Sequence, residues 1–318
     1  MFVNILLLVL GFFVLIMGAN WLVSGATALA KKYNVSDLAI GLTIVAFGTS
    51  APELVVNAIS SYQNFPDLVF GNVIGSNNFN LFIILGIAGL ITPLVVQSST
   101  VWKEIPISFL AIVVFFLLAN NFFVSDHSIL SRIDGVVLLA FFGLFLLYVY
   151  KQLKNDAKPK VGQEKTYSSI IIWGLIIVGL SALVLGGQLV VMNATDLATS
   201  LGISQKIIGL TIIAAGTSLP ELATSVVAAI KKNNDIAVGN IIGSNIFNIF
   251  LILGLSSLIR PMEYSSIFTI DIILLTLGTI VLFIAMFTGK RRKLDRWESM
   301  LLLLIYVVYT VYLVSKEM

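Results

Sequence analysis

The most constraining feature of this chain is a pattern of about thirty residues that is written twice. GLTIVAFGTSAPEL at 41–54 recurs as GLTIIAAGTSLPEL at 209–222, and GNVIGSNNFNLFIILG at 71–86 recurs as GNIIGSNIFNIFLILG at 239–254, both displaced by 168 residues without a gap. Identity is 11 of 14 positions in the first pair and 12 of 16 in the second, so the chain holds two copies of one unit. Each copy carries one glutamate, Glu53 or Glu221, in the middle of an apolar stretch. An ionisable side chain in such surroundings is costly to keep, and its default reading is a transport or ligand site.

The apolar stretches are long enough to sit in lipid. With 58% hydrophobic and 11% charged residues, and a mean hydropathy of +1.02, the chain lies outside the range of soluble domains. Ten apolar runs occur, at 2–29, 37–61, 68–91, 104–121, 134–151, 168–193, 204–230, 236–258, 267–289 and 297–315. Each can cross a hydrocarbon core of roughly 30 Å at about 1.5 Å per helical residue. The apolar residues come in runs and do not alternate, which excludes a β-barrel. The expected fold is an all-α membrane protein with ten transmembrane helices. The first run lacks a basic leader and is about twice as long as a signal-peptide core, so it reads as retained. The absence of cysteine removes disulfides, thiolate metal sites and cysteine nucleophiles. The lone histidine, His127, reads as a solvated loop residue.

Residues 1–151 and 168–318 each hold five of these runs, and a polar linker at 152–167, too short for a folded domain, joins them. Five is odd, so the second copy must enter the membrane the other way up. The expectation is two inverted-topology five-helix repeats, with the motif copies at 41–86 and 209–254, a ground plan that places ion sites near the midplane. With the N-terminus outside, 15 of the 19 Lys and Arg residues collect on one face. The positive-inside rule makes that face cytoplasmic, and the chain becomes a multi-pass protein of the cell membrane with both termini extracellular. The basic run KRRK at 290–293 is read as a topology determinant and not as a nucleic-acid patch.

Within the motif, Pro52 has no backbone N–H, so the carbonyl of Gly48 loses its helical partner and the span should kink. Free carbonyls are expected from Ala46 to Thr49, and, through Pro220 and Gly216, from Ala214 to Thr217. Three- and four-residue spacing puts Thr49, Ser50 and Glu53 on one side of a helix, and likewise Thr217, Ser218 and Glu221. In the next span of each copy, Asn72, Ser76 and Asn80, or Asn240, Ser244 and Asn248, follow at intervals of four and make one polar stripe. Asn72 and Asn240 read as bridges between helices, and the pairs Gly71/Gly75 and Gly239/Gly243 as close helix contacts. Carboxylates, hydroxyls, amide oxygens and carbonyls suit a hard cation: calcium takes about 6 to 8 oxygen ligands. One Ca²⁺ would balance both glutamates, and Na⁺ ions could use the same oxygens instead. Competition between the two loads is a physical basis for exchange.

The paired GTSxPE and GNxxGSNxxN motifs resemble the two α-repeats of the sodium/calcium exchangers in the cation/calcium exchanger superfamily. The resemblance implies that Glu53 and Glu221 coordinate Ca²⁺ and that Thr49, Ser50, Thr217 and Ser218 add oxygens to Ca²⁺ or Na⁺. It implies that the carbonyls of Ala46 and Ala214 and the hydroxyls of Ser76 and Ser244 complete flanking sodium sites. It also places Asn80 and Asn248 between the glutamates, and has the first and sixth spans slide as a gate. Some relatives, including the potassium-dependent branch, carry aspartate where this chain has Asn248, and proton-coupled relatives use a GNxxE signature that is absent here. The expected function is a secondary antiporter that exchanges Na⁺ for Ca²⁺ by alternating access. With about three Na⁺ per Ca²⁺, the cycle would be electrogenic and gain about 2.3 kcal/mol per charge per 100 mV. Its substrates are Ca²⁺ and Na⁺, with no cofactor, no nucleic acid and a state compatible with a monomer. The alternatives are an H⁺/Ca²⁺ or K⁺-dependent Na⁺/Ca²⁺ antiporter, a passive channel, and an intramembrane enzyme using two carboxylates. The density of neutral oxygens around the carboxylates speaks against the enzyme.

Overall fold

The computed structural model describes residues 2–120, 128–155, 167–201, 214–289 and 291–317. His127 and most of the linker lie outside the described residues. Among them, eight helices are long and apolar enough to cross a membrane singly: α1 (Phe2–Tyr33), α4 (Pro66–Ile91), α5 (Thr100–Ala119), α6 (Arg132–Leu153), α7 (Ser169–Ser200), α9 (Asn234–Ile259), α10 (Ser266–Ala285) and α11 (Arg296–Leu313). The pair α2 (Asp37–Thr49) and α3 (Ala51–Tyr62), bent by 47° at Ser50, passes the same test when taken together and counts as a ninth if it is one span. Of the run expected at 204–230, only the turn Ala214–Gly216 and the apolar helix α8 (Leu219–Ile230) fall among the described residues. The chain is thus a helical membrane protein.

The break in the second span follows from its sequence. Pro52 sits in the first turn of α3, where a missing N–H costs nothing. Ser50 leaves helical geometry at φ −85° and ψ 3°. Ser218 does the same before α8, at φ −89° and ψ 4°, with Pro220 in the first turn. The span is therefore two helices meeting at a serine, and not one kinked helix. The carbonyl of Ala46, expected to be free, accepts from the N–H of Ser50 at 3.0 Å. The turns that follow α3 and α8 are also alike, with Asn64 at φ 64° and Lys232, 168 residues later, at φ 58°.

Helices α1 and α7 pack against each other through glycine. A Cβ on Gly18 would stand 2.8 Å from the backbone nitrogen of Leu183, and one on Gly186 would stand 2.7 Å from that of Leu15. Gly11, Gly18 and Gly25 meet α7 near Val190, Leu183 and Ile176 respectively, so numbers rise on one helix as they fall on the other. The two helices run antiparallel, close enough for backbone contact. Gly239 and Gly243 of α9 press in the same way on α2, where their added Cβ atoms would meet the Leu38 carbonyl at 2.9 Å and the Ala46 side chain at 2.7 Å.

Nearly all of α9 and most of α4 are buried, whereas most of α1 faces outward. The motif helices are therefore the centre of the molecule. Four short strands tie the loops: β1 (Leu94–Val95) pairs antiparallel with β4 (Lys293–Leu294), and β2 (Ile129–Leu130) with β3 (Met262–Glu263). Two further carboxylates in apolar helices are held by tyrosine hydroxyls. Tyr148 on α6 donates to Glu104 on α5, and Tyr309 on α11 donates to Asp271 on α10.

Candidate ion-binding site

The two broken spans bring their glutamates to one place. Glu53 and Glu221 lie in the first turns of α3 and α8, each about 1% exposed, and their carboxylates are close enough to act on each other through charge. Ser50 donates to Oε1 of Glu221 at 2.9 Å, across the two halves. Thr217 faces Glu53 and Ser244 faces Glu221, without a hydrogen bond of ordinary geometry.

Two more bonds cross between the halves at equivalent positions. Thr49 donates to Oδ1 of Asn240 at 3.0 Å, and Asn72 donates through Nδ2 to Thr217 at 3.2 Å. Behind them, Asn57 donates to the carbonyl of Glu53 and contacts Asn72, both at 2.7 Å. Asn240 donates to Ser225 at 2.9 Å and to the carbonyl of Glu221 at 3.4 Å. Asn72 and Asn240 thus bridge the motif segments to α4 and α9, Asn240 bonding the Glu221 carbonyl directly and Asn72 through Asn57, which holds the carbonyl of Glu53. Asn57 and Ser225, which occupy matching positions of the two copies, were not singled out from sequence. Their spacing of four from the glutamates is the signal that would have found them.

The site holds buried oxygens that protein donors do not satisfy. Both carboxylate oxygens of Glu53, Oε2 of Glu221, the hydroxyls of Ser76, Ser218 and Ser244, and Oδ1 of Asn80 and Asn248 have no hydrogen-bond partner among the described residues. Buried polar atoms are ordinarily paired, so such a concentration marks the place where a ligand completes the set. All eight are acceptors, or hydroxyls able to turn a lone pair inward, and fit a cation.

Asn80 and Asn248 sit in π-bulges, Phe79–Ile84 and Phe247–Leu253, at equivalent points of α4 and α9. The wider turn of a π-bulge re-aims side chains and is frequent at functional sites. Asn80 donates to Oδ1 of Asn245 at 3.0 Å and Asn248 to Oδ1 of Asn77 at 3.0 Å. Asn77 and Asn245 were also missed, because they stand one residue off the stripe that a regular helix would present. The signal was their identity in both GSN motifs.

Of the remaining expected residues, Thr49 also leans on the carbonyl of Ala46 at 3.3 Å, and Ala214 opens the turn before Thr217. Pro52, Pro220 and Thr217 border a cavity of about 220 Å³ between α3, α7 and α8, whose wall is apolar except for Thr217 and Gln188.

The sequence profile of the family described as Sodium/calcium exchanger protein matches residues 3–151 and 171–315. The chain is 35% identical over 327 residues to CaxA of Alkalimonas amylolytica, covering 99% of this chain and 100% of that protein. It is 33% identical over 351 residues to the sodium/calcium exchanger MaX1 of Methanosarcina acetivorans, covering 98% of each. Among solved structures, the sodium-calcium exchanger NCX_Mj matches with a TM-score of 0.82 and 32% identity over 98% of both chains. Two profile matches that together span nearly the whole sequence, a shared fold, and a buried glutamate in each of two copies of one motif agree: this chain belongs to the sodium/calcium exchanger family.

Proposed function

We propose that this protein is a secondary antiporter that exchanges Na⁺ for Ca²⁺ across the cell membrane by alternating access. The observation that carries the reading is that both carboxylate oxygens of Glu53, Oε2 of Glu221 and five further buried oxygens of the repeated motifs have no hydrogen-bond partner among the described residues. A Ca²⁺ ion takes about 6 to 8 oxygens in flexible geometry, and one such ion balances two carboxylates. Glu53 and Glu221 hold Ca²⁺, with Thr49, Ser50, Thr217 and Ser218 contributing oxygens. Ser76 and Ser244, with the carbonyls of Ala46 and Ala214, hold Na⁺ to either side, and the amide oxygens of Asn80 and Asn248 lie between. The break in the first copy adds the C-terminus of α2, whose partial negative charge suits a cation. The ions compete for the same carboxylates, so loading one expels the other. With about three Na⁺ per Ca²⁺ the cycle moves one net charge and draws about 2.3 kcal/mol from each 100 mV.

Two relationships support the inverted-repeat plan of residues 1–151 and 168–318. Gly18 and Gly186 are equivalent by the offset of 168, and their helices run antiparallel in direct contact. The strands say the same. Leu94–Val95 and Met262–Glu263 are equivalent by that offset, but α5 separates β1 from β2, and β2 pairs with β3. This pairing supports equivalent loops on opposite faces of the membrane, the arrangement an inverted repeat requires. With the run at 204–230 taken as the seventh span, the proposed plan has ten crossings and, by the positive-inside rule, both termini outside.

Proteoliposomes loaded with Na⁺ should accumulate Ca²⁺ when external Na⁺ is withdrawn. Uptake indifferent to the Na⁺ gradient, or driven by a pH gradient alone, would replace this reading with the proton-coupled one.

A further inference from the structure

We propose that Asn77 and Asn245 set the amide orientation of Asn80 and Asn248, so that both present oxygen and not N–H to the transported ion. The inference rests on the exchange reading above. An asparagine amide has an accepting oxygen at one end and a donating NH₂ of nearly equal size at the other, so its partners decide which end points where. A backbone carbonyl can only accept. Asn77 donates through Nδ2 to the carbonyl of Asn245 at 3.2 Å, and Asn245 donates through Nδ2 to the carbonyl of Asn77 at 3.4 Å. These two bonds leave the Oδ1 atoms of Asn77 and Asn245 as acceptors. Nδ2 of Asn248 and Nδ2 of Asn80 fill them, each at 3.0 Å. The donating ends of Asn80 and Asn248 are thereby turned to the scaffold across the boundary between the two halves. What remains is a buried Oδ1 on each, without a protein partner.

The four residues form two equivalent pairs at the offset of 168, so the device is built twice, with the halves exchanging donors. Its logic is to turn each amide nitrogen toward the scaffold. A reversed Asn80 or Asn248 amide would point a positive NH₂ group at a cation and leave its oxygen against the neighbouring acceptor. Asn77 and Asn245 touch no ion in this scheme and act as positioning residues.

The test is a double-mutant cycle read as the KM for Ca²⁺ in Na⁺-driven uptake. Asn77→Ala releases the amide of Asn248 to reverse, and KM should rise about tenfold through the lost ligand. Asn248→Asp has oxygen at both ends and is indifferent to reversal. Whatever the KM of Asn248→Asp alone, adding Asn77→Ala to it should change that value by less than about twofold, a strongly non-additive result. An equal penalty on both backgrounds would mean that Asn77 only packs, and would overturn the proposal. The mirror cycle, Asn245→Ala with Asn80→Asp, carries the same expectation and the same overturning outcome if the first set is not recovered folded. Failure of the exchange reading is separable, because it appears as Na⁺-independent uptake in the unsubstituted protein.

Discussion

Ser50 donates its hydroxyl to Oε1 of Glu221 at 2.9 Å, whereas, among the described residues, the equivalent hydroxyl of Ser218 makes no hydrogen bond and both oxygens of Glu53 are without a partner. The repeat is symmetric in its residues and asymmetric in how its two carboxylates are held. A hydroxyl on a buried carboxylate offsets part of the cost of removing it from water, so the two halves are unequal in energy in this conformation. In the ion-free protein Ser50→Ala should therefore lower stability by about 1–2 kcal/mol more than Ser218→Ala. Melting curves of the two variants in chelator would coincide if the asymmetry were without energetic weight.

In the proposed site the two glutamates supply the charge that would match a divalent ion. Replacing Glu53 or Glu221 by Gln keeps the shape and removes that charge. Either change should reduce Na⁺-driven Ca²⁺ uptake at least about a hundredfold, the scale expected when a charged partner is lost from a buried site. Full uptake by both variants would contradict the assignment of the site.

The contact between α1 and α7 leaves no room at Gly18. Gly18→Ala should destabilise the protein by about 1–3 kcal/mol, since the new methyl meets the α7 backbone. Gly174→Ala on the outward face of α7 meets nothing within 4 Å and serves as the control. There, replacing glycine in a helix should be neutral or favourable by about 0.5–1 kcal/mol. Thermal unfolding in detergent distinguishes the two positions, and identical shifts would refute the close-packing argument.

Outside the site, Tyr148 donates to the fully buried Glu104 and links α6 to α5. Tyr148→Phe preserves the ring and removes the donor, which should cost about 1–3 kcal/mol of stability. Because the groups that act on Glu104 are Tyr148, Gln152 and Lys103 and none belongs to the repeated motifs, the KM for Ca²⁺ should stay unchanged. A shifted KM at unaltered stability would give Glu104 a part in transport that its hydrogen bond does not suggest.

The chain contains no cysteine, so single introduced thiols report topology without background. A membrane-impermeant maleimide should label Ser315→Cys on intact cells, and should label Lys158→Cys only after the membrane is opened. The reverse pattern would invert the orientation derived from the positive-inside rule.

What could be read from sequence was local or repeated. Apolar runs report the free energy of transfer into lipid residue by residue, so helices such as α1 and α7 were legible without any tertiary information. The break at Ser50 was legible only as a disturbance, since Pro52 announces a missing N–H but does not say whether the helix will kink or restart. The duplication singled out Glu53 and Glu221 because two equivalent carboxylates in apolar stretches have no local reason to exist. Asn77 and Asn245 escaped for a physical reason: a stripe at intervals of four assumes regular helix, and the π-bulges that begin at Phe79 and Phe247 alter the geometry where the asparagines meet.

The sequence by itself determined a helical membrane protein made of two copies of one unit, and the identity of the oxygens at its centre. Tertiary structure alone decided who meets whom. Thr49 with Asn240, Asn72 with Thr217, Ser50 with Glu221 and the crossed asparagines are contacts between residues 145 to 191 positions apart. No local propensity encodes such pairs, because they depend on how whole helices pack. The asymmetry between Ser50 and Ser218 is decided there too: identical motifs must share one asymmetric packing, and only one of the two serines reaches its carboxylate.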